Sequence, residues 1–176
     1  MPHFTRIGAL AIDALAGAVD THAARFADMV FRQRAPGSAH PDTETIYLRM
    51  PPTLSRETIF ESLDSIDYPL MQEPAIREAV AAVSRLAGGR AARAMIVKLK
   101  PGGRIAPHVD EGAYAAATRR YHLPIATNPL AWLEAGGERL HLPAGTLWWF
   151  DKHALHRGGN DGATDRIHLI VDTLPL

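Results

Sequence analysis

The second half of the chain is a series of short apolar segments separated by glycine and proline turns. These segments span residues 94–100, 105–110, 119–125, 130–134, 139–142, 146–150 and 166–174. Short apolar segments bounded by turn residues predict β-strands. The sequence Ala135-Gly136-Gly137 between two of them predicts a hairpin. Strands at this spacing are typical of a β-sandwich or barrel, jelly rolls included.

The first half carries the helical signals. Residues 74–87 predict a helix, because Pro74 suits a first helical turn and Gly88-Gly89 suits its end. A second helix is expected to start near Asp13, and residues 43–50 alternate as a strand does. We therefore expect a mainly β fold with N-terminal helices.

Composition restricts the class of protein. At 176 residues the chain fits one domain, and its 19 basic and 19 acidic residues give no net charge. This balance indicates neither nucleic acid nor an anionic membrane as a partner. No signal-peptide pattern and no membrane-length apolar run is visible, so we expect a soluble cytoplasmic protein. The chain has no cysteine, so any metal must be held by histidine and carboxylate.

His108 and Asp110 are the first candidate metal ligands. Side chains two residues apart on a strand share a face, so both can reach one ion. Two histidines and one carboxylate form the facial triad that leaves coordination positions of Fe(II) open for substrates. A His-x-Asp pair alone is a weak signal, because a strand-edge pair without metal has the same sequence.

The third ligand is expected downstream. His153 and His156 are both candidates, and either could instead be a surface loop histidine. The sequence Phe150-Asp151 before His156, with Asn160 after it, favours His156.

Arg166 begins the last predicted strand, after the distal histidine. A guanidinium there can bind a carboxylate through two hydrogen bonds, or it can pair with Asp165 or Asp172 on the protein surface. His122 is either a buried core histidine or a second donor to the same carboxylate.

Arg120 and Trp148 are candidate substrate-binding residues. Arg120 could instead pair with Glu111. Trp148 and Trp149 are adjacent, so one faces the core and the other is free to line a pocket. His168 shares the strand face of Arg166 and is interpreted as structural.

Four sequence blocks in order carry a family resemblance. They are Lys98-Leu99-x-Pro101-Gly102-x-x-Ile105-x-x-His108-x-Asp110, Arg120-x-His122-Leu123-Pro124-Ile125, Phe150-Asp151-x-x-x-x-His156-x-x-x-Asn160 and Arg166-x-x-Leu169-x-x-Asp172. Together they resemble the aspartyl/asparaginyl β-hydroxylase family, whose members are Fe(II)- and 2-oxoglutarate-dependent dioxygenases on a double-stranded β-helix.

The resemblance implies a role for each matching residue. His108, Asp110 and His156 would ligate Fe(II), Arg166 would bind the distal carboxylate of 2-oxoglutarate, and His122 would assist it. The cofactors implied are Fe(II), 2-oxoglutarate and O2. Because the acidic ligand is present, hydroxylation is favoured over halogenation.

The resemblance also implies an architecture and a substrate class. We expect a single dioxygenase domain over residues 1–176, with a helical and strand-containing part (1–92) before a cupin-like jelly-roll core (93–176). The expected substrate is a free amino acid, a small amino-acid derivative or a peptide. The alternatives are a cupin-like barrel with another metal and non-oxidative chemistry, for which Glu134 or Glu138 could supply a ligand, and a ligand-sensing barrel.

Overall fold

The computed structural model describes residues 2–176. Its strands are β1 (Phe4–Ala9), β2 (Thr43–Met50), β3 (Ile66–Asp67), β4 (Gly89–Leu99), β5 (Arg104–His108), β6 (Arg119–Ala126), β7 (Ala131–Ala135), β8 (Glu138–Leu140), β9 (Thr146–Phe150), β10 (His156–Asn160) and β11 (Arg166–Pro175). Its α-helices are α1 (Asp13–Thr21), α2 (Phe31–Arg34), α3 (Arg56–Glu61), α4 (Pro74–Ala87) and α5 (Gly112–Ala117), with short 3₁₀ helices at Ala23–Ala27 and Pro69–Gln72.

The strands form two antiparallel sheets. The larger sheet has seven strands in the order β1-β9-β6-β11-β4-β2-β3, and the smaller has four in the order β5-β10-β7-β8. Strands from the N-terminal half, β1 to β3, are hydrogen-bonded into the larger sheet with the later ones. The predicted mainly β, jelly-roll fold with N-terminal helices is confirmed.

The two faces of the larger sheet differ in chemistry. Its outer face packs against α1 and α4 in an apolar core that includes Leu48, Ile96, Leu123 and Leu169. Residues of opposite parity point inward, and on β6 and β11 several of these are charged groups or histidines. Alternation therefore places polar groups between the sheets, and ionisable groups are costly to bury there without partners.

The helix predicted at residues 74–87 is observed as α4, Pro74–Ala87. It ends because Gly88 adopts a left-handed conformation with φ of 65°, which glycine tolerates without a Cβ clash. The strands predicted at 43–50 and 146–150 are also observed at those bounds.

Three local expectations were wrong. The loop expected between the strands at 105–110 and 119–125 contains the short helix α5, so the helices are not confined to the first half. The first of those strands ends at His108 rather than at residue 110. Residues 156–160 form strand β10, which carried no strand signal.

Candidate metal centre

His108 and His156 are brought together by strand pairing. β5 and β10 are antiparallel neighbours in the smaller sheet, and their register places His156 directly opposite His108. The two imidazole ring centroids are 4.0 Å apart. Residues far apart in sequence thus meet because the backbone hydrogen bonds of the sheet set their register.

Both rings present the same nitrogen to the centre. Nδ1 of His108 lies 2.8 Å from the carbonyl oxygen of Ala106, and Nδ1 of His156 lies 3.0 Å from that of Ala154. A carbonyl oxygen only accepts, so each Nδ1 carries the proton and each Nε2 is left with a free lone pair. Nε2 of His108 is buried and has no hydrogen-bond partner. A buried lone pair of this kind fits a metal ion.

Asp110 completes the cluster. Its Oδ1 lies 3.6 Å from Nε2 of His108 and 3.9 Å from Nε2 of His156. The backbone N–H of Asp110 donates to the carbonyl of Lys152, which fixes the carboxylate just beyond the end of β5. One ligand atom from each of the three residues lies within 4.8 Å of the others.

The charge states suit ligation. Burial, together with the neighbouring His108, lowers the pKa of His156 to about 4, and burial also lowers the pKa of His108. Both rings are therefore neutral near pH 7. Burial opposes ionisation of Asp110, but the Arg120 guanidinium and the two imidazoles hold its pKa below the ordinary value. Two neutral imidazoles and one carboxylate form a donor set suited to Fe(II).

Arg120 lies beside this cluster and is engaged by two carboxylates. Its Nη1 donates to Asp110 at 2.5 Å, and its Nε and Nη2 donate to Asp172 at 2.8 and 2.9 Å. The hydroxyl of Tyr114 also donates to Asp172. The pairing with Glu111 considered from sequence is replaced by these contacts. Arg120 thus connects the candidate ligand Asp110 to a fully buried carboxylate.

Arg166 lies between the sheets, farther from the metal cluster than Arg120, and is only 2% exposed. Its donors face the ring nitrogens of His168, at 3.0 and 3.2 Å. Nδ1 of His122 approaches the same ring at 3.2 Å, while Nε2 of His122 is buried without a partner. Among residues 2–176 no carboxylate pairs with Arg166 within 4.0 Å. Burial lowers its pKa to about 10, so the guanidinium stays charged at neutral pH.

Phe150 separates the deep groups from the metal cluster. Its ring is in edge contact with His122 at 5.3 Å and with His156 at 4.9 Å between centroids. Trp148 packs beside Phe150 with its indole N–H donating to Thr146, while Trp149 packs on the outer core. The two adjacent tryptophans thus face opposite sides of the sheet.

Other predicted or weighed residues lie apart from the cluster. His153 is exposed on the loop before β10. Of the two carboxylates considered for the cupin alternative, Glu134 pairs with Arg139 and Arg157, and Glu138 accepts a hydrogen bond from the backbone N–H of His3.

The sequence interpretation missed two residues of the N-terminal half. The ring of His40 contacts His108 edge-on, with centroids 4.7 Å apart. Arg32, on α2, donates to Nε2 of His40 at 3.0 Å. Neither lies in a periodic segment, and tertiary contacts bring this stretch to the site: β2 pairs into the large sheet, and the backbone N–H of Ala106 donates to the carbonyl of Ala39.

The fold defines a double-stranded β-helix protein with a histidine- and carboxylate-lined interior. Residues 71–175 match the family described as Aspartyl/Asparaginyl beta-hydroxylase. The chain therefore belongs to the aspartyl/asparaginyl β-hydroxylase family. It is accordingly an enzyme of the dioxygenase class, a hydroxylase of the 2-oxoglutarate and Fe(II) oxygenase type.

Solved structures with the same fold are distant in sequence. A prolyl-4-hydroxylase from Pseudomonas putida superposes with a TM-score of 0.62 at 13% identity, covering 99% of this chain and 93% of that one. A viral collagen prolyl hydroxylase from Paramecium bursaria Chlorella virus-1, solved as a 2OG complex, gives 0.57 at 12% identity over 99% and 97%. An oxidoreductase of the 2OG-Fe(II) oxygenase family from Burkholderia pseudomallei gives 0.54 at 13% over 75% and 66%. These similarities concern the fold.

No curated protein matches the sequence. Within residues 2–176, the helices are all too short or too polar to span a bilayer.

Proposed function

We propose that this chain hydroxylates an unactivated carbon of an amino acid, an amino-acid derivative or a peptide, with Fe(II), 2-oxoglutarate and O2. His108, Asp110 and His156 would hold the metal. The observation that carries the proposal is the convergence of their three ligand atoms within 4.8 Å, with Nε2 of His108 buried and unpaired. We further propose that residues 1–176 act as one catalytic domain, because β1 to β3 pair into the larger sheet.

Arg166 and His122 are proposed to bind 2-oxoglutarate. Arg166 is a buried cation that pairs with no carboxylate of residues 2–176, and a dicarboxylate supplies one. His122 offers its unpaired Nε2 to the same pocket. Phe150 would form part of the wall of this pocket, because its ring contacts both His156 and His122.

When bound, Fe(II) with 2-oxoglutarate and O2 supplies the oxidation that inserts a hydroxyl into a C–H bond. The protein's part is to orient and to exclude water. The carbonyls of Ala106 and Ala154 hold the imidazoles in the ligating tautomer. Arg120 keeps Asp110 ionised and turned toward the histidines. Arg120 and Trp148 remain the proposed contacts for substrate.

The test is anaerobic titration of 2-oxoglutarate into the Fe(II)-loaded protein. We expect a visible charge-transfer band that is absent in His156→Ala, because a ligand is lost. In Arg166→Gln the band should need about 100-fold more 2-oxoglutarate, because a buried bidentate ion pair is removed. Arg157→Gln is the matched control, since its side chain is exposed and pairs with Glu134.

Aerobic succinate formation completes the experiment. We expect turnover in the wild type and in Arg157→Gln, and none in His156→Ala. If the wild type gives neither the band nor succinate, the proposal is wrong, and a metal barrel with non-oxidative chemistry becomes the better interpretation.

A further inference from the structure

Arg32 is a second guanidinium in the site that pairs with no carboxylate in the described part of the chain. Its Nη1 lies 3.0 Å from Sδ of Met95 and its Nη2 donates to His40, so its contacts are a thioether and an imidazole. The thioether is a weak acceptor, and neither group carries a negative charge that would offset the guanidinium. Among residues 2–176, no carboxylate lies within ion-pair distance of Arg32.

Arg93 is a useful comparison, because its guanidinium is also buried without a carboxylate from residues 2–176 but has backbone oxygens as acceptors. Its Nη atoms donate to the backbone carbonyls of Thr58, Ile59 and Ser62, and its guanidinium stacks on the ring of Tyr114 at 3.4 Å. Those contacts are made within the folded chain and occupy both Nη atoms, while Nε of Arg93 is buried without a partner. Arg32 has no such set of oxygen acceptors.

Arg32 is also connected to the metal cluster. His40 contacts Arg32 on one side and the ring of His108 on the other. Met95 belongs to the inner face of β4, opposite Ile170 on β11. The guanidinium therefore reaches the space between the sheets, next to the reacting centre.

The charges of the centre favour an anion at this point. Arg120 offsets one of the two charges of Asp110 and Asp172, so these three groups leave one negative charge. Lys152 is a further buried cation whose charge lowers the pKa of Asp172, and together with Arg120 it balances the two carboxylates. Among residues 2–176, Arg32 forms an ion pair with neither Asp110 nor Asp172, so its charge is available to an added anion. Burial lowers the pKa of Arg32 to about 10, so this charge is present at neutral pH.

We propose that Arg32, held by His40, binds a free carboxylate of the primary substrate. The inference rests on the proposed function and narrows its substrate class to compounds with a carboxylate near the carbon that is hydroxylated. A carboxylate would replace the thioether and imidazole as the partner of Arg32 through charge-assisted hydrogen bonds. The N-terminal half would thereby determine substrate choice.

The test uses protein loaded with Zn(II) and 2-oxoglutarate, in which no turnover occurs. The probes are the twenty L-amino acids and their N-acetyl derivatives, each paired with its carboxamide, and binding is measured by thermal shift and calorimetry. We expect at least one acid to bind about 10- to 100-fold more tightly than its amide, as a charged hydrogen bond provides. In Arg32→Gln the acid and the amide should bind within about twofold, and Arg32→Lys should restore part of the preference.

Arg34→Gln is the matched control, because Arg34 is an exposed residue of the same helix. Affinity for 2-oxoglutarate should be unchanged in both glutamine variants. The proposal is overturned if no acid is preferred over its amide, or if Arg32→Gln keeps the preference. Failure of 2-oxoglutarate to bind the wild type would instead overturn the proposed function, so the two failures are distinguishable.

Discussion

Nη1 of Arg120 lies 2.5 Å from Oδ2 of Asp110, while Oδ1 of the same carboxylate faces the two histidines. The two oxygens of Asp110 thus have separate partners. Because Oδ2 is engaged by Arg120, Oδ1 is the atom available to a metal. Arg120 in turn is held by Asp172, which is buried.

Arg120→Leu should be strongly destabilising. The change leaves the Asp172 carboxylate buried without its cation, and loss of one partner of a buried pair costs about 3–5 kcal/mol. Urea unfolding of metal-free protein measures the loss. The neighbouring exposed Arg119→Leu should change the free energy of unfolding by less than about 0.5 kcal/mol. A loss below about 1 kcal/mol in Arg120→Leu would contradict the structural role.

Asp172 should make the protein sensitive to acid. Burial raises the pKa of this carboxyl, but Arg120, Lys152 and the Tyr114 hydroxyl outweigh burial and hold it well below the ordinary value. In the unfolded chain this carboxyl has a pKa of about 3.9, so as the pH falls it takes up a proton at a higher pH than the folded one does. Its stabilising contribution is therefore present above about pH 4 and is lost as the pH falls further.

Asp172→Asn removes this titration. We expect the variant to be less stable at pH 7 and its free energy of unfolding to depend less on pH between about 4 and 2. Denaturant unfolding at each pH makes the measurement. Asp64→Asn, at an exposed position, should retain the wild-type profile. If the free energy of unfolding depended on pH equally in the wild type and in Asp172→Asn, Asp172 would not be the source of the acid sensitivity.

His156 and His153 provide a direct comparison of two histidines on one segment. His156 faces the cluster, whereas His153 is exposed. His156→Ala should weaken Fe(II) or Co(II) binding by at least about 100-fold, and His153→Ala by less than about twofold. Anaerobic calorimetry distinguishes them. Equal losses in both variants would remove His156 from the ligand set.

Replacing Gly112 and Gly17 by alanine should change the free energy of unfolding in opposite directions. Gly112 has φ of 91°, and an added Cβ would lie 2.4 Å from the carbonyl oxygen of Phe60, so Gly112→Ala should cost more than about 1 kcal/mol. Gly17 lies inside α1 with open space around it, so Gly17→Ala should stabilise by about 0.5–1 kcal/mol. Thermal unfolding gives both signs, and a stabilised Gly112→Ala protein would show that the positive φ at the start of α5 is not needed.

Periodic apolar patterns made much of the fold predictable. α4, β2 and β9 have the predicted bounds, because α4 has one apolar face, β2 and β9 are largely apolar, and each ends at a proline, a glycine or an abrupt change in polarity. The faces of β6 and β11 were likewise readable from alternation.

Strand β10 was not predictable in the same way. Its sequence, His-Arg-Gly-Gly-Asn, has no apolar alternation. Gly159 is needed because a Cβ there would lie 2.6 Å from the ring of Trp132, and this contact comes from the neighbouring strand. Arg32 and His40 were missed for a related reason, since only tertiary packing brings them to His108.

The pairing of β10 with β5 has a consequence for how this centre can form. Because side chains alternate along a strand, a slip of one residue would turn His156 away from His108 and bring Arg157 toward it. A strand paired in the wrong register therefore cannot bring the two histidines to one metal. Tight metal uptake should therefore report correct assembly of the smaller sheet, and the fraction of molecules that load metal would count the properly folded population after refolding.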